Sequence, residues 1–288
     1  MKQNLQRLIS EDTELITEFF EYLQMDFALR ALVVGVLLAV CASLLGVCLV
    51  PKRYSMIGDG LSHVGFGALA VASALGAAPL AVALPVVIIA SFLLLRLREN
   101  GKIKGDSAIA MISAGALAVG VMIVSLSGSN TDLDGYMFGS LLSVTKADFV
   151  TAVVLFPIVI AVFAIFYTQI FAVSHDENFA RATGMKANFY NTLLSVLVAV
   201  TIVIGMRLMG TLLISALIIF PSISAMRVCR SYFSTIITAV ALSVISFLCG
   251  MVMSFAISTP IGASIVICNM ICFFAMCLLG ATVKKKRI

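Results

Sequence analysis

The sequence is poor in charge. Only 11% of its 288 residues are Asp, Glu, Lys or Arg, whereas soluble globular proteins carry about 25% charged residues. Apolar residues make up 61% of the chain, and its mean hydropathy is +1.14. This composition excludes an ordinary soluble domain and predicts an all-α, polytopic membrane protein.

Histidines and phosphate-binding motifs are equally scarce. The chain has two histidines, His63 and His175, from which an H-E-x-x-H zinc site cannot be assembled; this argues against an intramembrane metalloenzyme. The sequence contains no G-x-x-x-x-G-K-[ST] loop, so any nucleotide hydrolysis is expected on another polypeptide. We expect no catalytic residues, no permanently bound cofactor and no nucleic-acid partner.

The seven cysteines do not predict a disulfide framework. Cys229 adjoins a basic loop, and the other six lie inside apolar runs: Cys41, Cys48, Cys249, Cys268, Cys272 and Cys277. Cys268 and Cys272 share a helix face, which leaves a soft-metal site as an alternative. Buried free cysteine is the commoner role and is the interpretation we favour.

Apolar runs separated by short polar breaks predict about nine transmembrane helices between residues 27 and 281. Their expected bounds are 27–50, 57–75, 80–97, 107–126, 149–173, 193–206, 208–226, 233–257 and 261–281. The sixth is short, and Arg207 separates it from the seventh. Residues 127–146 are too polar to span and predict a surface or partly re-entrant helix. Residues 1–26 have no signal-peptide core and predict an amphipathic helix on the membrane surface.

The positions of lysine and arginine predict the orientation. Fourteen of the 19 basic residues fall in five segments, namely 51–56, 96–106, 174–190, 227–232 and the tail 282–288. Because cytoplasmic loops carry the excess of Lys and Arg, these segments are predicted to face the cytoplasm. Nine spans then place the N terminus outside and the C terminus inside the cell. The basic tail is expected to contact anionic lipid.

The segment 174–190 is the longest of these loops that lies between two spans. Ser174 or Asp176 can cap a short helix here, and Gly184 can end it. Two residues would give this helix a small apolar knob: Phe179 and Ala180. The residues alone leave two alternatives open, an ordinary connector and a docking element for a soluble partner.

Asp59 and His63 are the ionisable residues of the second predicted span. They lie four residues apart, so on a helix both side chains project from one face. Ionisable groups within a bilayer are costly and usually mark a pathway or an ion site. A carboxylate oxygen and an imidazole nitrogen suit a divalent transition metal. The alternative is that both residues lie near the water interface and make local capping contacts.

Four stretches of the chain resemble the ABC-3 family of metal permeases, the membrane subunits of bacterial zinc and manganese ABC importers. They are R-Y-S-M-I-G-D-G-L-S-H (53–63), Y-M-F-G-S-L-L-S-V (136–144), D-E-N-F-A-R-A-T-G (176–184) and M-G-T-L-L-I-S-A-L-I-I-F-P (209–221). The sequence departs from the family after His63. The family often shows Ala-Val-Leu-Pro-Gly there, whereas this chain reads Val-Gly-Phe-Gly at 64–67, so the bend of this helix is in question.

The resemblance implies a homodimer that receives metal from an extracytoplasmic binding protein and is driven by two ATP-binding subunits. Asp59 and His63 then become the expected metal ligands. The expected ATPase-coupling residues are Asp176, Glu177, Phe179, Ala180 and Gly184. Zinc is the preferred cargo and manganese the next, carried as substrate. A secondary, ion-coupled metal carrier is the alternative, which would need no ATPase and gives the loop 174–190 no role.

Overall fold

The computed structural model describes residues 25–52, 54, 56–99, 105–127, 139 and 144–285. Within these ranges the chain forms eleven helices and no strand, which confirms the all-α prediction. The helices are α1 (Asp26–Leu49), α2 (Ile57–Ala74), α3 (Pro79–Glu99), α4 (Gly105–Ser127), α5 (Lys146–Ile165), α6 (Tyr167–His175), α7 (Glu177–Ala182), α8 (Ala187–Met209), α9 (Thr211–Val228), α10 (Tyr232–Ile257) and α11 (Ile261–Lys285).

Seven of the described helices are long and apolar enough to cross a membrane, so the predicted count of nine is not confirmed. The seven are α1, α4, α5, α8, α9, α10 and α11. The second and third predicted spans do form helices, α2 and α3. Asp59 and His63 reduce the apolar character of α2, and the apolar part of α3 is the shorter stretch Pro79–Leu94.

Three element boundaries differ from the predicted ones. The sixth span, predicted at 193–206, is the longer helix α8, because the charge of Arg207 is paired with Asp148 at 3.2 Å and does not end the helix. The fifth predicted span divides at Phe166, whose ring packs against Tyr190 of α8. At the other end of the chain, α11 continues through the predicted tail as far as Lys285.

Helix α1 lies at the centre of the bundle, where it packs against α5, α8, α9 and α10. Small residues allow this close approach: a Cβ at Gly35 would overlap the ring of Phe247 on α10, and one at Gly46 would overlap a backbone carbonyl of α9. In lipid, small residues and interhelical hydrogen bonds supply much of the packing energy. The Ser243 hydroxyl of α10 accordingly donates to the Ala39 carbonyl of α1 at 2.9 Å.

Helix α2 packs mainly against α3 and α4, and also contacts α8 and α9. It runs without interruption through residues 64–67, where the family pattern has a proline. The Phe66 ring is buried beside Gly120 of α4, and the Gly67 backbone lies close to the Ala116 carbonyl. Thus α2 is a continuous helix held tightly against α4.

Some predictions lie partly or wholly outside the described residues. These are the amphipathic helix predicted within 1–26, most of the predicted external helix at 127–146, and the end of the basic tail. Within the second of these, Gly139 is described: its φ is +72°, and a Cβ there would overlap the backbone of Met209 and Gly210. Residue 139 therefore lies directly against the turn between α8 and α9.

Candidate functional site

Asp59 and His63 lie on the same face of α2, as their spacing predicts. The distance from His63 Nε2 to Asp59 Oδ1 is 3.6 Å, which is longer than a hydrogen bond. The Asp59 side chain is 46% exposed and the His63 side chain 20% exposed. Nδ1 of His63 is buried and has no hydrogen-bond partner among the described residues. Nε2 is therefore the histidine nitrogen that faces the carboxylate.

The separation of these two atoms suits one metal ion between them. First-row divalent metals bind nitrogen and oxygen ligands at about 2.0–2.2 Å. For an ion at about 2.15 Å from both atoms, the angle Nε2–ion–Oδ1 would be about 115°, which is close to the tetrahedral value. The described residues contain no group of three or more His, Cys, Asp or Glu side chains that could hold a metal. The pair is thus an open, two-ligand arrangement, unlike the four-ligand cage of a structural zinc site.

Local capping, the alternative role for this pair, finds no support in the hydrogen bonds of α2. The residue at the N-cap position is Met56, and the described structure shows no side-chain hydrogen bond at this cap. Asp59 stands in the first turn, where the helix dipole favours a carboxylate by about 0.3–1 kcal/mol. The helix dipole does not occupy the carboxylate oxygens, so they stay available to a cation.

The loop between α6 and α8 folds as its sequence predicts. The Asp176 carboxylate accepts a hydrogen bond from the Phe179 backbone N–H at 2.9 Å and so caps α7. Ser174, the alternative cap that the sequence offered, is buried and is not the residue that caps this helix. Gly184 follows the helix with φ +83°, a conformation that residues with a Cβ rarely adopt. Helix α7 therefore has a defined start and a defined end.

Of the two residues predicted to form an apolar knob on α7, only Phe179 is exposed. Phe179 is 64% exposed, whereas Ala180 is fully buried in a small cluster with Val173 and Ala187. The prediction that Ala180 is exposed is wrong, because Ala180 is the residue through which α7 rests on α6 and the start of α8. Helix α7 thus exposes one large apolar side chain, Phe179.

A buried polar network lies beneath α7 and was not predicted. The Lys52 ammonium donates to Oδ1 of Asn191, and both side chains are buried, at 8% and 3% exposure. Asn191 also hydrogen-bonds the Glu177 carboxylate, which accepts a second bond from Arg181 at 2.7 Å. Partial burial alone would raise the pKa of Glu177, but the hydrogen bonds from Arg181 and Asn191 and the positive charges of Lys52 and Arg181 lower it below its usual value.

Sequence reasoning missed Lys52, Asn191 and the Arg207–Asp148 ion pair. Lys52 was counted only among the basic residues of the segment 51–56, and Asn191 was not singled out. An available signal was that Lys52 directly follows Pro51 at the end of a long apolar run. A lysine buried at such a position needs a polar partner, because burying an unpaired charge is costly. Of the cysteine pair, Cys272 accepts a hydrogen bond from Ser246 at 3.4 Å, which gives no support to a soft-metal site.

The sequence model of the ABC 3 transport family matches residues 24–280. The chain belongs to this family. The ABC-3 match covers every described helix except the last few residues of α11, including the Asp59–His63 pair and α7. The chain is accordingly a multi-pass cell-membrane protein, a permease subunit of a metal ABC transport system, and not an enzyme.

Individual relatives agree with this assignment. The manganese import system permease protein ScaB of Streptococcus gordonii is 30% identical over 260 residues, which is 90% of this chain and 94% of that protein. The chelated iron transport system membrane protein YfeD of Yersinia pestis is 28% identical over 94% of this chain and 90% of its own. The solved structure of PsaBC from Streptococcus pneumoniae in complex with Fab superposes with a TM-score of 0.81 at 28% identity, over 91% of this chain and 95% of that one.

Proposed function

We propose that this ABC-3 permease passes a divalent transition metal across the cell membrane along a path that includes Asp59 and His63. The observation that carries the proposal is the open pair itself, two unlike side chains that can bind a metal, 3.6 Å apart on one face of α2. A carboxylate attracts the cation, and an imidazole replaces one of its lost waters. Two protein ligands per chain hold a metal loosely enough to release it.

The proposed partners follow from the fold and from α7. A permease without its own phosphate loop needs ATP-binding subunits, and the exposed Phe179 on a capped helix suits the surface of such a subunit. An extracytoplasmic binding protein would deliver the metal from the opposite side. A second copy of this chain would complete the path, since Asp59 is nearly half exposed in the single chain.

Manganese is the cargo that the named relatives favour. ScaB carries manganese in its name, YfeD carries chelated iron, and the compared relatives give no support to the zinc expected from sequence. An Asp and a His bind manganese and zinc alike, and manganese accepts the additional oxygen ligands that retained waters would supply. We therefore propose manganese as the first cargo to test, with zinc as the competitor.

The test replaces each ligand without adding bulk. We expect Asp59→Asn and His63→Ala to lower Mn²⁺ uptake per assembled complex by at least about tenfold, because even residues that only orient a metal ligand contribute about 10–100-fold in affinity. Uptake would be measured in vesicles that contain the permease and its ATPase. Asp26→Asn, which changes a 93% exposed carboxylate at the start of α1, is the matched control.

Two outcomes would contradict the proposal. Near-normal uptake in both variants would remove the pair from the path. Ion-driven uptake by the permease in vesicles without any ATPase would instead identify a secondary carrier. A local capping role would show itself differently, as poor assembly with uptake that falls only in proportion to the amount of complex.

A further inference from the structure

The connection between α1 and α2 is held by a buried lysine. Only residues 50–56 join the two helices, and within them the Lys52 side chain is 8% exposed while its neighbour Pro51 is exposed. Lys52 precedes Asp59 by seven residues. A buried ammonium is stable only when it is paired or hydrogen-bonded, so the partners of Lys52 fix the position of the segment that leads into the metal pair.

The described partners of Lys52 include residues of α8 and α7. The Asn191 side chain on α8 accepts a hydrogen bond from Lys52 through its carbonyl oxygen. Helix α7 packs against α8, and the same asparagine side chain lies beside the Glu177 carboxylate at the first position of α7, where its hydrogen bonding helps to lower the pKa of that carboxyl. One asparagine amide thus serves a lysine on one side and a carboxylate on the other. We call Lys52, Asn191 and Glu177 the buried bridge.

Glu177 faces the permease rather than the space outside α7. Its side chain is 30% exposed, and its hydrogen bonds go to Asn191 and to Arg181, all within the same chain. Phe179, two residues later, points outward and is 64% exposed. Helix α7 therefore has an outer side that is free for a partner and an inner side tied to Lys52.

Among the described residues, the buried bridge is a polar route from α7 towards α2. Backbone contacts place α7 mainly against α6 and α8, whereas α2 packs against α3, α4, α8 and α9. Any displacement of α7 moves Glu177 as well, because Glu177 is the first residue of this helix. Through Asn191 the displacement reaches Lys52 and then the start of α2. Breaking the bridge would leave the buried charge of Lys52 without a partner, which is costly. Its three members therefore move together rather than separate.

We propose that the buried bridge transmits movement of α7 to the Asp59–His63 pair, with Lys52 as the positioning residue that couples ATP hydrolysis to metal release. This inference rests on the proposed function, because it assumes that α7 meets an ATPase and that the pair binds cargo. It gives Glu177 a role inside the permease in place of a contact with the ATPase. Lys52 touches neither the metal nor the nucleotide and acts through Asn191 and Glu177.

The experiment measures how many Mn²⁺ ions are transported for each ATP hydrolysed, in vesicles that contain the permease and its ATPase. Lys52→Met keeps the aliphatic stem and removes the charge. We expect it to lower this coupling ratio by about tenfold, a typical coupling between distant sites, while Mn²⁺ binding to the detergent-solubilised complex changes by less than about twofold. Lys52→Arg should recover part of the ratio. Lys186→Met, at an exposed lysine just before α8, is the matched control and should keep the wild-type ratio.

A second variant keeps the proposal falsifiable if Lys52→Met does not assemble. Glu177→Gln preserves size and shape and removes only the charge that faces Lys52, and it should also lower the coupling ratio. A wild-type ratio in assembled Lys52→Met, or in Glu177→Gln where the first variant fails to assemble, would overturn the buried bridge. Failure of the proposed function would look different: the wild-type complex itself would neither bind nor transport Mn²⁺ in an Asp59-dependent way.

Discussion

Single glycines decide how closely α2 approaches its neighbours. Gly65 and Gly67 both follow the Asp59–His63 pair, in the stretch where the family pattern differs. A Cβ at Gly65 would overlap the Met206 methyl group, the far end of a flexible side chain. A Cβ at Gly67 would lie 2.8 Å from the Ala116 carbonyl oxygen, which belongs to a helix backbone and cannot turn aside. The same added methyl group therefore meets a soft neighbour at one site and a rigid one at the other.

We predict that Gly67→Ala destabilises the permease more than Gly65→Ala. Overpacking against backbone costs about 1–3 kcal/mol, whereas a shift of Met206 should keep the cost at Gly65 below about 1 kcal/mol. Thermal unfolding of the two detergent-solubilised variants, compared with wild type, measures the difference. Gly115→Ala is the control, since a Cβ there meets nothing within 4 Å. Equal destabilisation by Gly65→Ala and Gly67→Ala would show that α4 moves aside as easily as a methionine.

At the scale of elements, α7 shows what local sequence can and cannot predict. The Asp176 cap and the Gly184 end were predicted because each depends on a short stretch of backbone. The burial of Ala180 could not be predicted, since it depends on how α6 and α8 meet, and a six-residue helix has no long apolar period to reveal its inner face. The result reassigns the outer surface of α7 to Phe179.

We predict that Phe179→Ser and Ala180→Glu both abolish uptake, but for different reasons. Phe179→Ser removes an exposed anchor and should weaken ATPase binding by about 30-fold without changing the stability of the permease alone. Ala180→Glu places an unpaired charge in an apolar cluster and should lower the unfolding temperature of the permease itself. Co-purification of the ATPase and thermal unfolding of the isolated permease separate the two effects.

The matched control for Phe179 is Phe233, at the start of α10, which has the same exposed fraction of 64%. Phe233→Ser should retain the ATPase. If Phe179→Ser also retained it at wild-type strength, α7 would be a connector, and the coupling role of the whole segment would fall with it.

Over the whole molecule, the composition and apolar runs were enough to predict an all-helical membrane protein and to place most helix boundaries within a few residues. They were not enough to predict the full length of α8, because Arg207 looked like a break until its partner Asp148, 59 positions earlier in the chain, was seen beside it. The Asp59–His63 pair was found because its spacing is local. The buried bridge was missed because Lys52, Glu177 and Asn191 come together only after three separate elements have packed.

The orientation of the chain remains a prediction, and it does not depend on whether seven or nine helices cross the membrane. The two helices in doubt, α2 and α3, are consecutive, so counting both or neither leaves every other segment on the same side. The excess of basic residues then places the segment before α8 in the cytoplasm and the start of α5 outside. One experiment can test the orientation and the count separately.

We predict that an impermeant thiol reagent added to intact cells labels Thr145→Cys but not Lys186→Cys, which should react only after permeabilisation. Both positions are exposed, and all seven native cysteines would first be replaced by alanine. Ala78→Cys, in the exposed turn between α2 and α3, tests the number of spans. Labelling of this cysteine from outside would mean that both helices cross the membrane, and protection from the external reagent would mean that the chain has seven spans. Labelling of Lys186→Cys from outside would reverse the orientation. It would also place α7 on the side where no ATP is available, and the importer mechanism built on Phe179 and the buried bridge would then be wrong.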